Sequence, residues 1–163
     1  GIYYDKKQKK VKACPPKKTI SKKEFDLLLD HVENTSRKRN LANNRLILCF
    51  LYYSGINYEE LWKLKVKDVL DEKGEAKGII ESGGKKMPLY ISKTLKEEIN
   101  RFFGSTLPLY DRESYVFVSQ KGYHFTAQTL QDKIKNLLQS AKLLKVNFRT
   151  SFVKSRYANK NIL

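Results

Sequence analysis

Cysteine and histidine are scarce in this 163-residue chain, with two of each. Cys14 and Cys49 lie far apart in very different company. That spacing excludes a disulfide framework and suits a reducing compartment. His31 has no companion His, Asp or Cys at ligand spacing, so neither a zinc site nor any other cofactor is expected. No run approaches the roughly 20 apolar residues that a bilayer span requires. The N-terminus is lysine-rich with no apolar run behind it, which argues against a secretory signal and for a cytoplasmic protein. Acidic residues are also in short supply: 17 Asp and Glu stand against 33 Lys and Arg, a formal net charge of +16.

That excess is spread along the whole chain. A field of this sign attracts polyanions, and with nucleic acid as partner it acts through counterion release. The other source of such a charge is a lysine-rich surface inherited from genome composition. A membrane-surface protein would carry a basic amphipathic helix ending in exposed aromatics, and none stands out. Apolar residues make up 40% of the chain, with ten Tyr and eight Phe, enough for one real core in one domain with an appended segment.

The organising stretch runs from Arg45 to Ile91. It opens with the most apolar run of the protein, Leu46 to Tyr53, read as a buried helix from about Leu41 to Ser54. Gly55 is placed to stop it in a left-handed conformation. Asn57-Tyr58-Glu59-Glu60 reads as a capping box opening a short helix to about Leu64, with Leu61, Leu64 and Val66 on one face. Asp71-Glu72-Lys73-Gly74 reads as a turn. Gly78 to Glu81 and Lys86 to Ile91 read as paired strands around Ser82-Gly83-Gly84. Gly-Gly beside Lys85 and Lys86 has the chemistry of a phosphate cradle and also that of an ordinary hairpin turn.

Around this unit, residues 1–18 read as a basic linker or arm ending in Pro15-Pro16. Such a segment lies against phosphates or is a disordered leader. Ser21 and Glu24 form a capping box for a helix to about Asn34, with Phe25, Leu28, Leu29 and Val32 inward. Ser36 to Asn44 reads as a polar basic connection. Ser92 begins a helix with Leu95, Ile99, Phe102 and Phe103 on its apolar face, ended by Gly104. Tyr115 to Val118 reads as a short buried strand, and Ser119-Gln120-Lys121-Gly122 turns out of it. Thr126 caps a helix to about Lys142 whose inward face is Leu130, Ile134, Leu137, Leu138 and Ala141. Its outward face offers Gln128, Gln131, Lys133, Lys135 and Gln139. Amides and lysines on one face suit base edges and phosphates, and equally any solvated helix. The last segment, from Val146, reads as a further helix with Phe148, Phe152 and Tyr157 inward. Arg149 between apolar neighbours is an ion-pair partner or a phosphate clamp.

In this order, the chain resembles the catalytic domain of the tyrosine recombinases, the phage integrase and Xer-like family, from about Lys18 onward. Phe50 to Leu61, FLYYSGINYEEL, resembles the family's YxTGLRxxEL block. Gly83 to Leu89, GGKKMPL, resembles its basic hairpin ending in VPL. Val116 to Gly122, VFVSQKG, resembles the lFxsxxG strand and turn. Phe148 to Phe152, FRTSF, resembles the core of HxLRHTFAT. The stretch from Lys18 to Phe25 resembles the opening helix. The implied fold is mainly α with a small antiparallel β-hairpin.

The resemblance implies a tyrosine that attacks a DNA phosphate, leaving a 3′-phosphotyrosyl link and a free 5′-hydroxyl. Arginines and a lysine stabilise the charge that develops on the phosphate oxygens. Carried over by position, the catalytic residues expected here are Arg149 and Lys85, with Lys86 as the alternative hairpin lysine. Asn57 stands where the first arginine is expected. Glu60 matches the acid of the block. Val146 and Thr150 stand where histidines are expected. The nucleophile is expected beyond Leu163, and Tyr157 resembles a core position. The DNA-binding set expected is Lys85, Lys86, Lys121, Gln128, Gln131, Lys133, Lys135 and Arg149. Double-stranded DNA is the partner, with self-association on it, and an upstream domain would complete a clamp. No membrane or small-molecule partner is expected.

Three readings follow. One is a fragment of a divergent strand-transfer enzyme, either a mobile-element recombinase or a recombinase-like conjugative relaxase that nicks plasmid DNA. Another is a recombinase-derived module that has lost its chemistry and holds DNA in replication, segregation or regulation. The third is a protein-interaction domain with a lysine-rich surface. A single missing charge costs on the order of a thousandfold in related phosphoryl transfer, so activity without the first arginine requires replacements.

Overall fold

The computed structural model of the chain describes residues 18–81, 88–104, 111–143 and 146–147. In chain order the elements are β1 (Lys18–Thr19), α1 (Lys22–Thr35), α2 (Lys38–Ser54), α3 (Tyr58–Trp62), α4 (Val66–Val69), β2 (Ile79–Ile80), β3 (Leu89–Tyr90), α5 (Lys93–Phe103), α6 (Ala127–Ser140) and β4 (Val146–Asn147). The fold is mainly helical with a small antiparallel pair, as expected.

Local chemistry sets the helix starts. Ser21 Oγ accepts from Glu24 N at 3.1 Å while Glu24 Oε1 accepts from Ser21 N at 2.9 Å, two orphan donors satisfied reciprocally. Thr126 and Thr129 make the same reciprocal box at α6, while Ser92 Oγ caps α5 by accepting from Leu95 N at 3.2 Å. Each amphipathic helix then turns one stripe inward: Phe25, Leu28 and Val32 of α1, Leu95, Ile99 and Phe103 of α5, and Leu130 and Ile134 of α6. Helix α2 is different. Leu46 to Leu51 are each at most 2% exposed on every side of the helix, the mark of a central helix wrapped by others. It packs between α1 and α5, and α6 packs on α3. Phe25 of α1 stacks on Tyr52 of α2 at 4.1 Å between ring centroids. Gly55 ends α2 at φ 74°, a left-handed turn that a side chain would strain.

The two small sheets are separate. β2 and β3 are antiparallel, Ile79 opposite Tyr90 and Ile80 opposite Leu89. β1 and β4 are parallel, Lys18 opposite Val146 and Thr19 opposite Asn147.

Four expectations are corrected here. Ser36 to Asn44 is not a connection, because α2 begins at Lys38 and its first turns use Asn40, Asn43 and Asn44 as contact residues. A further helix, α4, follows α3, with Val66 and Val69 buried. Val116 and Phe117 are buried as expected, yet no strand forms from Tyr115 to Val118. Val116 N donates to Leu64 O at 2.9 Å and Val66 N to Ser114 O at 2.9 Å, an isolated antiparallel bridge of Tyr115 with Lys65. Val118 makes a second with His124, so the run is held by single bridges rather than as a strand. Val146 does not start a helix, since it pairs with Lys18. The linker before Lys18, the 82–87 hairpin turn with Lys85 and Lys86, and the segment from residue 148 with Arg149 and Tyr157 lie outside the described residues.

Candidate nucleic-acid interface

Gly55 turns the chain from the buried α2 directly into α3, and Asn57 caps that helix. Asn57 Oδ1 accepts from Glu60 N at 2.7 Å, and Glu60 Oε1 accepts from Asn57 N at 3.3 Å. Ser54 Oγ donates back to Phe50 O at 2.6 Å, and Ile56 N reaches Ser54 Oγ at 3.3 Å, which fixes the turn from beneath. Glu60 is 5% exposed, whereas Asn57 faces solvent. The position where an arginine is expected is thus held by a neutral amide engaged in capping.

Helix α6 supplies the second part of the surface. Gln128, Gln131 and Lys135 are exposed, with Gln128 Nε2 donating to Asp132 Oδ1 at 3.0 Å. Lys121 is exposed on the turn before the helix. Lys133 departs from the expected outward face. It is half-buried, its Nζ donates to Asn44 Oδ1 of α2 at 2.8 Å, and it lies 5.6 Å over the Phe125 ring. Removal from water pushes its ammonium below the ordinary lysine value. A shallow concavity of about 430 Å³ lies beside it, lined by Thr129, Asp132, Asn136 and Leu137.

Residues not anticipated from sequence hold these pieces together. Asn40, Asn43 and Asn44 of α2 bind Gln120, the Val118 carbonyl and Lys133 in turn. Their spacing of three and four along a helix was a readable signal of one polar face. Trp62 at the end of α3 stacks on His124 at 4.7 Å, and Tyr115 lies 4.9 Å from the same imidazole. Lys63 and Lys65 stand over Trp62 and Tyr115 at 5.5 and 5.6 Å. No local sequence signal links residues so far apart. Lys65 and Lys67 share Glu113, exposed pairs of small energetic weight. Among the described residues no group of His, Cys, Asp or Glu side chains could hold a metal ion, and no helix is long and apolar enough to cross a membrane.

The family model described as "Phage integrase family" matches residues 18–155. The chain belongs to the phage integrase family, that of the tyrosine recombinases. Tyrosine recombinase XerC of Staphylococcus saprophyticus is 27% identical over 117 residues, covering 71% of this chain and 38% of that protein. Tyrosine recombinase XerA of Pyrococcus horikoshii is 32% identical over 117 residues, covering 72% of this chain and 39% of that protein. This chain therefore spans less than two fifths of either relative. Among solved structures, the XerH site-specific recombinase bound to difH substrate in a pre-cleavage complex superposes with a TM-score of 0.64 at 20% identity. That likeness covers 98% of this chain and 47% of XerH, and shows the shared fold. On the tyrosine-recombinase fold, the turn from α2 into α3 and the exposed face of α6 are the described parts of the candidate surface. Lys85, Lys86 and Arg149 fall outside the described residues.

Proposed function

We propose that this chain is the DNA-binding domain of a divergent tyrosine recombinase or recombinase-like relaxase. It would act on mobile-element or plasmid DNA through a phosphotyrosine mechanism in the full-length protein. The observation that carries this reading is the family match over residues 18–155 of a chain with a net charge of +16. Exposed Lys121, Gln128, Gln131 and Lys135 engage duplex DNA around the start of α6, with Lys85, Lys86 and Arg149 as further contacts. Lys133 supports α6 from the α2 side instead of meeting phosphate from its outer face.

In the strand-transfer step a tyrosine Oη bonds to phosphorus and the bond from phosphorus to the 5′-oxygen breaks. The leaving oxygen takes a proton, and no phosphodiester energy is lost. Arg149 and Lys85 supply the cationic donors that the pentavalent phosphorus needs. Asn57 brings no charge to that site, so transfer by this chain's own residues is expected to be slow. The neutral cap also favours the second reading, a recombinase-derived module that only holds DNA.

The deciding experiment offers supercoiled plasmid of the parent element to this chain and to the longest product of its gene. A covalent protein–DNA adduct that survives denaturant, formed by the longer product alone, supports strand transfer with the nucleophile elsewhere in that product. Salt-sensitive binding without an adduct from either supports the holding module. Absence of binding by both refutes the DNA reading.

A further inference from the structure

Surface turns are ordinarily among the least constrained parts of a domain. The turn from Ser119 to Tyr123 is held at every side. Ser119 N donates to Tyr123 O at 2.8 Å, Gly122 N to Ser119 O at 2.9 Å, and Tyr123 N to Ser119 Oγ at 3.3 Å. Gln120 Nε2 donates to Asn40 Oδ1 at 3.2 Å, and Asn43 Nδ2 to the Val118 carbonyl at 2.9 Å. Just past the turn, His124 stacks on Trp62. Gly122 sits at φ 86° with open space around it, so the backbone path itself needs glycine.

What this frame presents is Tyr123. At 71% it is the most exposed large apolar side chain among the described residues. A single exposed aromatic is unremarkable by itself. Here the ring stands on a turn tied to α2 by two amides and to α3 by a stacked pair. Exposed Lys121 precedes it by two positions, and the Thr126 cap of α6 follows it by three. A tyrosine ring on a fixed backbone loses little conformational freedom on contact, having only two side-chain torsions.

We propose that Tyr123 is a DNA-contacting side chain whose ring packs on a deoxyribose face beside the backbone that Lys121 engages. The inference rests on the DNA-binding reading and adds to it a contact that is apolar rather than ionic. Apolar packing on a sugar releases no counterion, whereas a lysine on phosphate does. The two contacts therefore differ in their response to salt.

The test measures duplex DNA affinity of the whole chain across a salt series for the unaltered protein, Tyr123→Ala, Tyr123→Phe and Lys121→Gln. Tyr123→Ala should weaken binding roughly fivefold at every salt concentration with the slope unchanged. Tyr123→Phe should bind as the unaltered protein does. Lys121→Gln should reduce the log–log salt slope by about 0.9. Unchanged Trp62 emission and circular dichroism in Tyr123→Ala would show that the frame is intact. Equal affinity of Tyr123→Ala and the unaltered protein, with Lys121→Gln weakened, overturns the Tyr123 contact and leaves DNA binding standing. A change in self-association without a change in affinity assigns the ring to a protein contact and also overturns it. Failure of the unaltered protein to bind removes the DNA reading and this inference together.

Discussion

Lys133 Nζ of α6 stands 2.8 Å from Asn44 Oδ1 of α2, a charged donor on a neutral acceptor. Asn44 is 6% exposed and donates in turn to Ser36 Oγ at 3.1 Å. The bond is therefore a tie between two helices, and it partly offsets the cost of taking the ammonium out of water. Replacing Asn44 with Ala leaves that ammonium without its acceptor and should cost about 2 kcal/mol. Lys133→Met keeps the aliphatic stem but leaves the buried Asn44 Oδ1 without its donor, and should cost about 1–2 kcal/mol. Urea midpoints for the two variants check both.

The same lysine fixes a pH dependence. Its folded value lies below the ordinary 10.5, so between the two the unfolded chain binds more protons and stability rises with pH. Cys49 works in the other direction. Its buried thiol is pushed up to about 12 from 9.0, so stability falls across that interval as the unfolded chain releases its proton first. Lys133→Met should remove the rise and leave the fall, read from urea unfolding between neutral and alkaline pH.

Arg45 is held between two acids, Glu98 through Nε at 2.9 Å and Nη2 at 3.0 Å, and Glu33 through Nη1 at 2.7 Å. This forked pair beside the central helix keeps the Glu98 carboxyl below the usual carboxylate value and raises the guanidinium. Its stabilisation is present above the ordinary 4.5 of a glutamate and is lost as pH falls through the lower folded value. Glu98→Gln should cost about 2 kcal/mol at neutral pH and flatten the acid limb of the stability profile. A denaturant series at falling pH measures it.

Asn57 stands where the family resemblance expects an arginine. Asn57→Ala should lose the cap and about 1 kcal/mol of stability. Asn57→Arg should lose a similar amount yet bind duplex DNA more tightly and with a steeper salt slope. If Arg149 clamps a phosphate, Arg149→Ala should weaken binding or nicking beyond its loss of folded fraction. Binding isotherms at matched folded fraction decide both.

Cys49 is fully buried with its thiol pushed up to about 12, and a thiol in that state is unreactive. In a Cys14→Ser background, alkylation near pH 8 should therefore follow global unfolding. Its rate should climb with urea in step with loss of helix signal. Rapid labelling of the folded protein would contradict the placement of Cys49 in the core.

Signals confined to a few residues were legible in the sequence. Ser21 with Glu24 and Asn57 with Glu60 announce capping boxes because donor and acceptor sit three positions apart, and Gly55 announces its own left-handed turn. The face of Lys133 was not legible, because periodicity places it at the margin of the apolar stripe and the deciding partner, Asn44, lies on another helix. The Tyr115 to Val118 run has strand composition, but it pairs only through single bridges, Tyr115 with Lys65 and Val118 with His124. The family's sequence blocks identify the fold, and the spacing of Asn40, Asn43 and Asn44 marks a polar face. It does not mark their partners Gln120, Val118 and Lys133, which lie 80, 75 and 89 positions further along the chain.

The parallel pairing of Lys18–Thr19 with Val146–Asn147 fastens the described domain at its two outermost strands. A contact between positions so distant along the chain must wait for the entropy of closing nearly the whole domain to be offset by the packing of everything between. It belongs to the late side of the folding barrier, where a weakened contact speeds unfolding and leaves the folding rate nearly unchanged. The pairing is thus a latch set last and released first.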